Sequence, residues 1–207
     1  MAPRKDDPSG TTLPPRAWQR MLSGRRLDLL DPSPLDIEIE DIAHGLARVA
    51  RWNGQTIGPA IFSVAQHSVL VEAIFSTLEA GMPKAERLAA LLHDAPEYVV
   101  GDMISPFKAV IGGDYKAVEH RLLAAIHLRF GLAATLPEAL TKRIKAADQI
   151  AAYFEAVTLA GFQVVEAKRL FGHPPVTLSA YEALLEPWTA EEAKQRMVER
   201  FSSLETR

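Results

Sequence analysis

Three stretches of this chain place an imidazole or a carboxylate among apolar neighbours. Leu91-Leu92-His93-Asp94-Ala95-Pro96-Glu97 sets a His-Asp pair after an apolar run. Val64-Ala-Gln-His67-Ser-Val-Leu-Val71 sets a histidine inside another, and Ile144-Lys-Ala-Ala-Asp148-Gln-Ile-Ala-Ala152 sets an aspartate inside a third. Such groups are costly to bury unless something satisfies them. Each alone has a plain structural explanation: a chance dipeptide, a hydrogen-bonded core histidine, a paired aspartate. Together, two imidazoles and two carboxylates could close one mixed N/O site for a divalent ion such as Mn, Co, Fe, Ni, Zn or Mg. The chain has six histidines and no cysteine, so any metal must be held by histidine and carboxylate.

Helices must position these residues. Ile39, Ile42, Leu46 and Val49 recur at helical spacing and predict a helix over 38–51. The loop Asn53–Pro59 follows, and Ser63 is placed to cap a helix running to about 80. Gly81 and Pro83 end it. A further helix is expected from about 84 to 97, limited by Pro96. On it, Glu97 would project on nearly the same face as His93. Helices are also expected over 114–130, from Pro137 to about 160, and near 190–203 behind the capping-box pattern Thr189-Ala-Glu-Glu. Strand signals are weak, with one short alternation at Ile37–Glu40. The expected architecture is all-α, a single compact helical bundle over 16–207, preceded by a Pro/Ser/Asp-rich tail over 1–15.

The order His…His-Asp…Asp resembles the signature of HD-domain metal-dependent phosphohydrolases. The wider text narrows the resemblance to the bacterial 5′-deoxynucleotidase branch: Phe62-Ser-Val-Ala-Gln-His67-Ser, His93-Asp-Ala-Pro-Glu97-Tyr-Val-Val-Gly-Asp102, Ser105-Pro-Phe-Lys108, Tyr115-Lys-Ala-Val-Glu119 and Lys145-Ala-Ala-Asp148. It covers roughly residues 40–160. It implies a helical HD-domain bundle in which His67, His93, Asp94 and Asp148 are the metal ligands. The resemblance also implies roles for Arg51-Trp52, an Arg-Trp pair upstream of the first histidine. Arg51 would grip a phosphate through charge-assisted hydrogen bonds, and Trp52 would pack on a sugar or base. Glu97 would orient or deprotonate water, and Asp102 would bind the sugar or assist the leaving group. Lys108 and Lys145 are candidate phosphate contacts. The segment Gly131–Pro137 departs from the branch in being apolar and shorter, which leaves the choice of nucleotide open. No extra histidine pair of the two-metal kind is seen, which favours one ion.

The expected reaction is hydrolysis of a (deoxy)nucleoside 5′-monophosphate to nucleoside and phosphate, with a nucleoside triphosphate as the alternative substrate. The competing expectations are a non-catalytic HD-like module that binds nucleotide or metal, and a purely structural helical protein. No role is assigned to His44, His120, His127 or His173, although His44 would share a helix with Arg51. The formal net charge of −3 gives no general reason to bind nucleic acid or a membrane surface. No apolar run reaches the roughly 20 residues that span a bilayer, and the N-terminus lacks the apolar core of a signal peptide. A cytoplasmic enzyme is expected, with a homodimer as its partner state.

Overall fold

Residues spaced for helical faces do form helices, and the fold is all-α apart from one small hairpin. The computed structural model describes residues 16–78, 81–104 and 113–205. The expected tail over 1–15 and the candidate phosphate contact Lys108 lie outside the described residues.

The hairpin pairs β1 (Trp18–Arg20) antiparallel with β2 (Arg26–Asp28). Its strands are too short to leave an alternation signal, and Leu27 anchors it in the core. The Arg16 and Arg26 guanidinium groups lie 4.2 and 4.6 Å from the Trp18 ring centroid, a cation–π arrangement. The alternation at Ile37–Glu40 belongs instead to the approach to α1 (Ile39–Leu46).

That helix stops earlier than its spacing predicts. Beyond Leu46 the chain turns and becomes extended at Ala50, which bridges Ser63. The Arg51 N–H donates to Phe62 O (2.8 Å) and the Val64 N–H to Val49 O (3.0 Å). These bonds satisfy backbone groups that a longer helix would have used. Consequently His44 and Arg51 do not share a helix, and Arg51 is delivered to the start of α2 (Val64–Leu78). Ser63 caps α2 as expected, accepting the Gln66 N–H at 3.2 Å.

The helix expected over 84–97 is divided. α3 (Lys84–Leu91) ends before the His-Asp pair, and α4 (Glu97–Val100) begins after it. Between them the bonds tighten to three-residue steps, including Ala95 N–H to Leu92 O (3.0 Å) and Glu97 N–H to Asp94 O (3.0 Å). Pro96 explains the break, since it has no N–H to give and disfavours helical geometry at the residue before it. His93 and Glu97 are therefore not neighbours on one continuous helix face. α1 packs on α4 through Gly45, where a Cβ would come within 2.8 Å of Tyr98 Cβ. At the other end of α4, Gly101 takes φ +80°, a turn that leads into Asp102.

α5 (Gly113–Arg129), α6 (Glu138–Thr158), α7 (Val164–Phe171), α8 (Glu182–Leu185) and α9 (Ala190–Leu204) complete the described elements. Thr189 caps α9 through the Glu192 N–H (3.2 Å). α7 is absent from the sequence expectations because much of its apolar content, Val164, Val165 and Leu170, faces outward.

α2 is the hub, with α3, α6 and α9 packed around it. Every residue from Val64 to Glu72 is buried, so this helix is enclosed on all sides, and Gln66, His67, Ser68 and Glu72 carry polar groups into the interior. Among the described residues no helix is long and apolar enough to cross a membrane.

Candidate metal centre

The hub helix carries His67 into the interior, where its ring has no exposure. α6 brings Asp148 to it from one side, and the turn after α3 brings His93 and Asp94 from the other. His67 Nε2 is 3.4 Å from Asp148 Oδ1 and 3.5 Å from Asp94 Oδ2. His93 Nε2 is 3.2 Å from Asp94 Oδ2, and the two imidazole centroids are 5.3 Å apart. One ligand atom each from His67, His93 and Asp148 lie within 4.8 Å of one another. All four residues expected as ligands are thus brought together, from segments up to 81 residues apart in sequence.

The imidazoles are oriented for coordination. His93 Nδ1 is 2.9 Å from Ala90 O, so it carries the proton and leaves Nε2 facing the cluster. His67 Nδ1 is 2.6 Å from Glu155 Oε1. Both Nε2 atoms are buried without a hydrogen-bond partner. Native proteins rarely leave such atoms unsatisfied, and a cation between them is the simplest partner. The donor set of two imidazole nitrogens and carboxylate oxygens fits a divalent ion of the Mn-to-Zn series.

Electrostatics point the same way. With both imidazoles neutral, Asp94, Asp102, Asp148 and Glu155 exceed the two cationic side chains among their described neighbours, Arg51 and Lys145, by two negative charges. Burial and the Arg51 charge oppose protonation of His67, yet Glu155, Asp148 and Asp94 outweigh them and raise its pKa well above the usual imidazole value. Burial likewise opposes ionisation of Asp94 and Asp148, but the two imidazoles hold both carboxyls below their ordinary values. A proton on His67 and a divalent cation would compete for the same excess charge.

Arg51 sits over this cluster, nearly enclosed. Its Nη1 is 3.4 Å from Asp102 Oδ1 and 3.8 Å from Asp94 Oδ2, and its Nε is 3.6 Å from Glu155 Oε2. These contacts are long, and among the described residues only the one to Asp102 is a hydrogen bond of this guanidinium. Asp102 is therefore beside Arg51. Glu97 opens α4 and is buried. Trp52 lies against Phe162 and Phe171, with ring centroids 5.6 and 6.0 Å away, and donates its indole N–H to Glu155 Oε2 at 2.9 Å. Lys145 donates to Asp148 Oδ2 at 2.6 Å.

A cavity of about 450 Å³ opens directly on His93, Asp94 and Asp148. Its far walls come from α5, the loop after it and α6: Leu123, Ala124, His127, Leu136 and Ile144 among them, with His120 also on the lining. His120 and His127, to which the sequence assigned no site role, both line this cavity. Burial lowers the His127 pKa, which favours the neutral ring. His44 faces the α9 side of the molecule, near Lys194 and Glu191, and His173 is an exposed loop residue.

Over 173 residues, 83% of this chain and 88% of its counterpart, the sequence is 61% identical to an uncharacterized protein of Rhodobacter capsulatus. This chain belongs to the same family. It is also 34% identical over 115 residues to the uncharacterized protein YfdR of Escherichia coli, a match covering 56% of this chain and 57% of YfdR. No family model matches the sequence.

The residue that sequence reasoning missed is Glu155. It is completely buried on α6, two turns beyond Asp148, and touches His67, Trp52 and Arg51. Its signal was present: a carboxylate in the apolar stretch Ala151-Ala-Tyr-Phe-Glu155-Ala-Val157, the same kind of intrusion that marks Asp148.

Proposed function

We propose that the chain is a metal-dependent phosphohydrolase of the HD-domain kind, cleaving (deoxy)nucleoside 5′-monophosphates to nucleoside and phosphate in the cytoplasm. The observation that carries this reading is the pair of buried, unpartnered Nε2 atoms of His67 and His93, facing Asp94 and Asp148 beneath Arg51 and beside a cavity. The resemblance of the motifs around these residues to the 5′-deoxynucleotidase branch supports the substrate class. His67, His93, Asp94 and Asp148 would hold one divalent ion.

Such an ion supplies Lewis acidity toward a phosphoryl oxygen and acidifies water. Arg51 grips the phosphate, held in place by Asp102 and Glu155. Glu97 orients the attacking water and takes its proton. Asp102, 3.4 Å from Arg51, contacts the sugar or the departing oxygen, which takes up the proton released from the water. The organic part of the substrate lies in the cavity between α5 and α6. A cavity of this size fits the 300–1,000 Å³ range of small-molecule sites.

The test is phosphate release from a panel of nucleoside mono-, di- and triphosphates with added Mn²⁺, Co²⁺ or Mg²⁺. Preferential turnover of monophosphates, lost in Asp94→Ala, is expected. Turnover of triphosphates alone would move the proposal to that substrate. No turnover by a metal-loaded chain would leave a binding module and overturn the enzyme reading.

A further inference from the structure

We infer that Glu155 is a positioning residue that fixes both the first histidine of the metal cluster and the turn that carries Arg51. The inference rests on the metal reading of His67, and it goes beyond that reading by assigning one buried carboxylate the alignment of two separate parts of the site.

Glu155 spends its two oxygens on different elements. Oε1 lies 2.6 Å from His67 Nδ1 on α2, while Oε2 accepts the Trp52 indole N–H at 2.9 Å and sits 3.6 Å from Arg51 Nε. An ionised carboxylate is an acceptor only, so Nδ1 of His67 must carry its proton. Nε2 is then the nitrogen directed at Asp94 and Asp148, the one a cation can use. Carboxylates that hold a ligating imidazole in this way commonly set metal affinity.

Glu155 also holds the turn that carries Arg51. Trp52 and Asn53 have φ of 57° and 51°, a left-handed conformation that non-glycine residues seldom adopt. Such geometry persists where surrounding contacts over-determine it. The contacts here are the indole bond to Glu155 and the packing of the Trp52 ring on Phe162 and Phe171. Among the described residues Trp52 does not line the cavity beside the metal cluster. Its polar handle is directed at Glu155, so it acts from behind Arg51.

The substitution Glu155→Gln is nearly isosteric and removes one acceptor. The amide nitrogen would then face either the His67 N–H or the Trp52 N–H, both of which are donors. Both predictions are read on the full chain with Zn²⁺ as the probe and no substrate. In the ¹⁵N-labelled zinc-loaded protein, His67 should show a protonated Nδ1 and a zinc-shifted Nε2, and the Trp52 indole N–H should exchange slowly. Glu155→Gln should weaken Zn²⁺ binding about 10- to 100-fold and speed indole exchange, and Glu155→Asp should recover part of the affinity. Zinc on Nδ1 of His67, a fast-exchanging Trp52 indole, or unchanged Zn²⁺ affinity in a folded Glu155→Gln each overturns the inference. The two wild-type observations decide it even if the variant fails to fold. If the wild-type chain binds no Zn²⁺, the metal reading falls and takes this inference with it. If it binds Zn²⁺ tightly and Glu155→Gln does too, only the inference falls.

Discussion

His67 and Glu72 stand on the same helix, both completely buried, in surroundings that differ in kind. Glu72 accepts from Arg87 Nε of α3 (2.7 Å), from the Arg200 guanidinium of α9 and from the Ser76 hydroxyl (2.7 Å). Both of its oxygens are used, and two arginines answer one carboxylate. This is a closed set of partners that braces three helices. His67 instead meets an excess of carboxylates, keeps Nε2 without a hydrogen bond, and adjoins a cluster open to a cavity. A buried charge is tolerated when it is answered. Where the answer is incomplete beside a cavity, the missing partner is most simply a ligand.

The largest effect that would sharpen this contrast is loss of a ligand. If the proposed function holds, Asp148→Ala should abolish stoichiometric metal binding and cut phosphate release at least about 10³-fold, since a catalytic ion would supply several kcal/mol of charge stabilisation. Calorimetric titration with Mn²⁺ and a phosphate-release assay read both. A folded variant with normal metal affinity would erase the distinction between the two regions.

Glu72→Ala should do the opposite. Breaking a buried pair costs about 3–5 kcal/mol, and partly exposed Arg87 and Arg200 put this case near about 3 kcal/mol. For a chain of this size that is a fall in Tm of roughly 10 °C, with metal affinity unchanged. Melting followed by circular dichroism checks the first part. A collapse of metal affinity in a folded protein would show that the brace belongs to the site.

Arg51→Lys keeps a charge but loses the bidentate fork. We expect kcat/KM to fall about 10- to 100-fold, the worth of one charge-assisted hydrogen bond. Metal binding should be nearly unaffected, because Arg51 supplies no ligand atom. Equal loss of both properties would contradict its assignment to the phosphate.

pH separates the regions more gently. Burial disfavours ionisation of Asp94, Asp148 and Glu155, yet the imidazoles and Arg51 hold their pKa values below the ordinary ones. Groups lowered on folding stabilise above the unfolded value near 4, and that contribution is lost as pH falls through the folded values. His67 is raised, so its contribution is complete below about 6.5 and is lost as pH rises through its folded pKa. Chelator-treated protein should therefore melt highest between about pH 4.5 and 6.5. Zn²⁺ must displace the His67 proton, so it should shift that optimum upward. A Tm profile indifferent to Zn²⁺ at pH 8 would count against coordination by His67. Smallest of all, Thr189→Ala removes the α9 cap, far from the metal cluster in sequence, and should cost about 1 kcal/mol with no effect on metal binding. Thermal melts and the same titration check it.

How much of this was legible depended on whether a signal was local. His67, His93, Asp94 and Asp148 could be found because each interrupts an apolar stretch, and burial makes such an interruption expensive. Glu155 interrupts one in the same way and was overlooked, because its partners, Trp52 and His67, are remote in sequence. The caps Ser63 and Thr189 were readable because a cap bonds within its own first turn. The ends of α1 and α3 were not. At α1 backbone hydrogen bonds to Phe62 and Val64 outcompeted helical periodicity, and at α3 the effect of Pro96 reached back past the His-Asp pair. His120 and His127 became cavity residues only when α5 packed across from α6, which no local pattern announces.

The most direct test of the central claim is the metal stoichiometry of the purified full chain. The protein would be loaded with Mn²⁺ or Zn²⁺, desalted and analysed by elemental mass spectrometry beside Asp94→Ala and Glu72→Gln. One ion per chain is expected for the wild type and Glu72→Gln, and essentially none for Asp94→Ala. Wild-type protein that retains no ion, or an Asp94→Ala protein that retains as much as wild type, would contradict it.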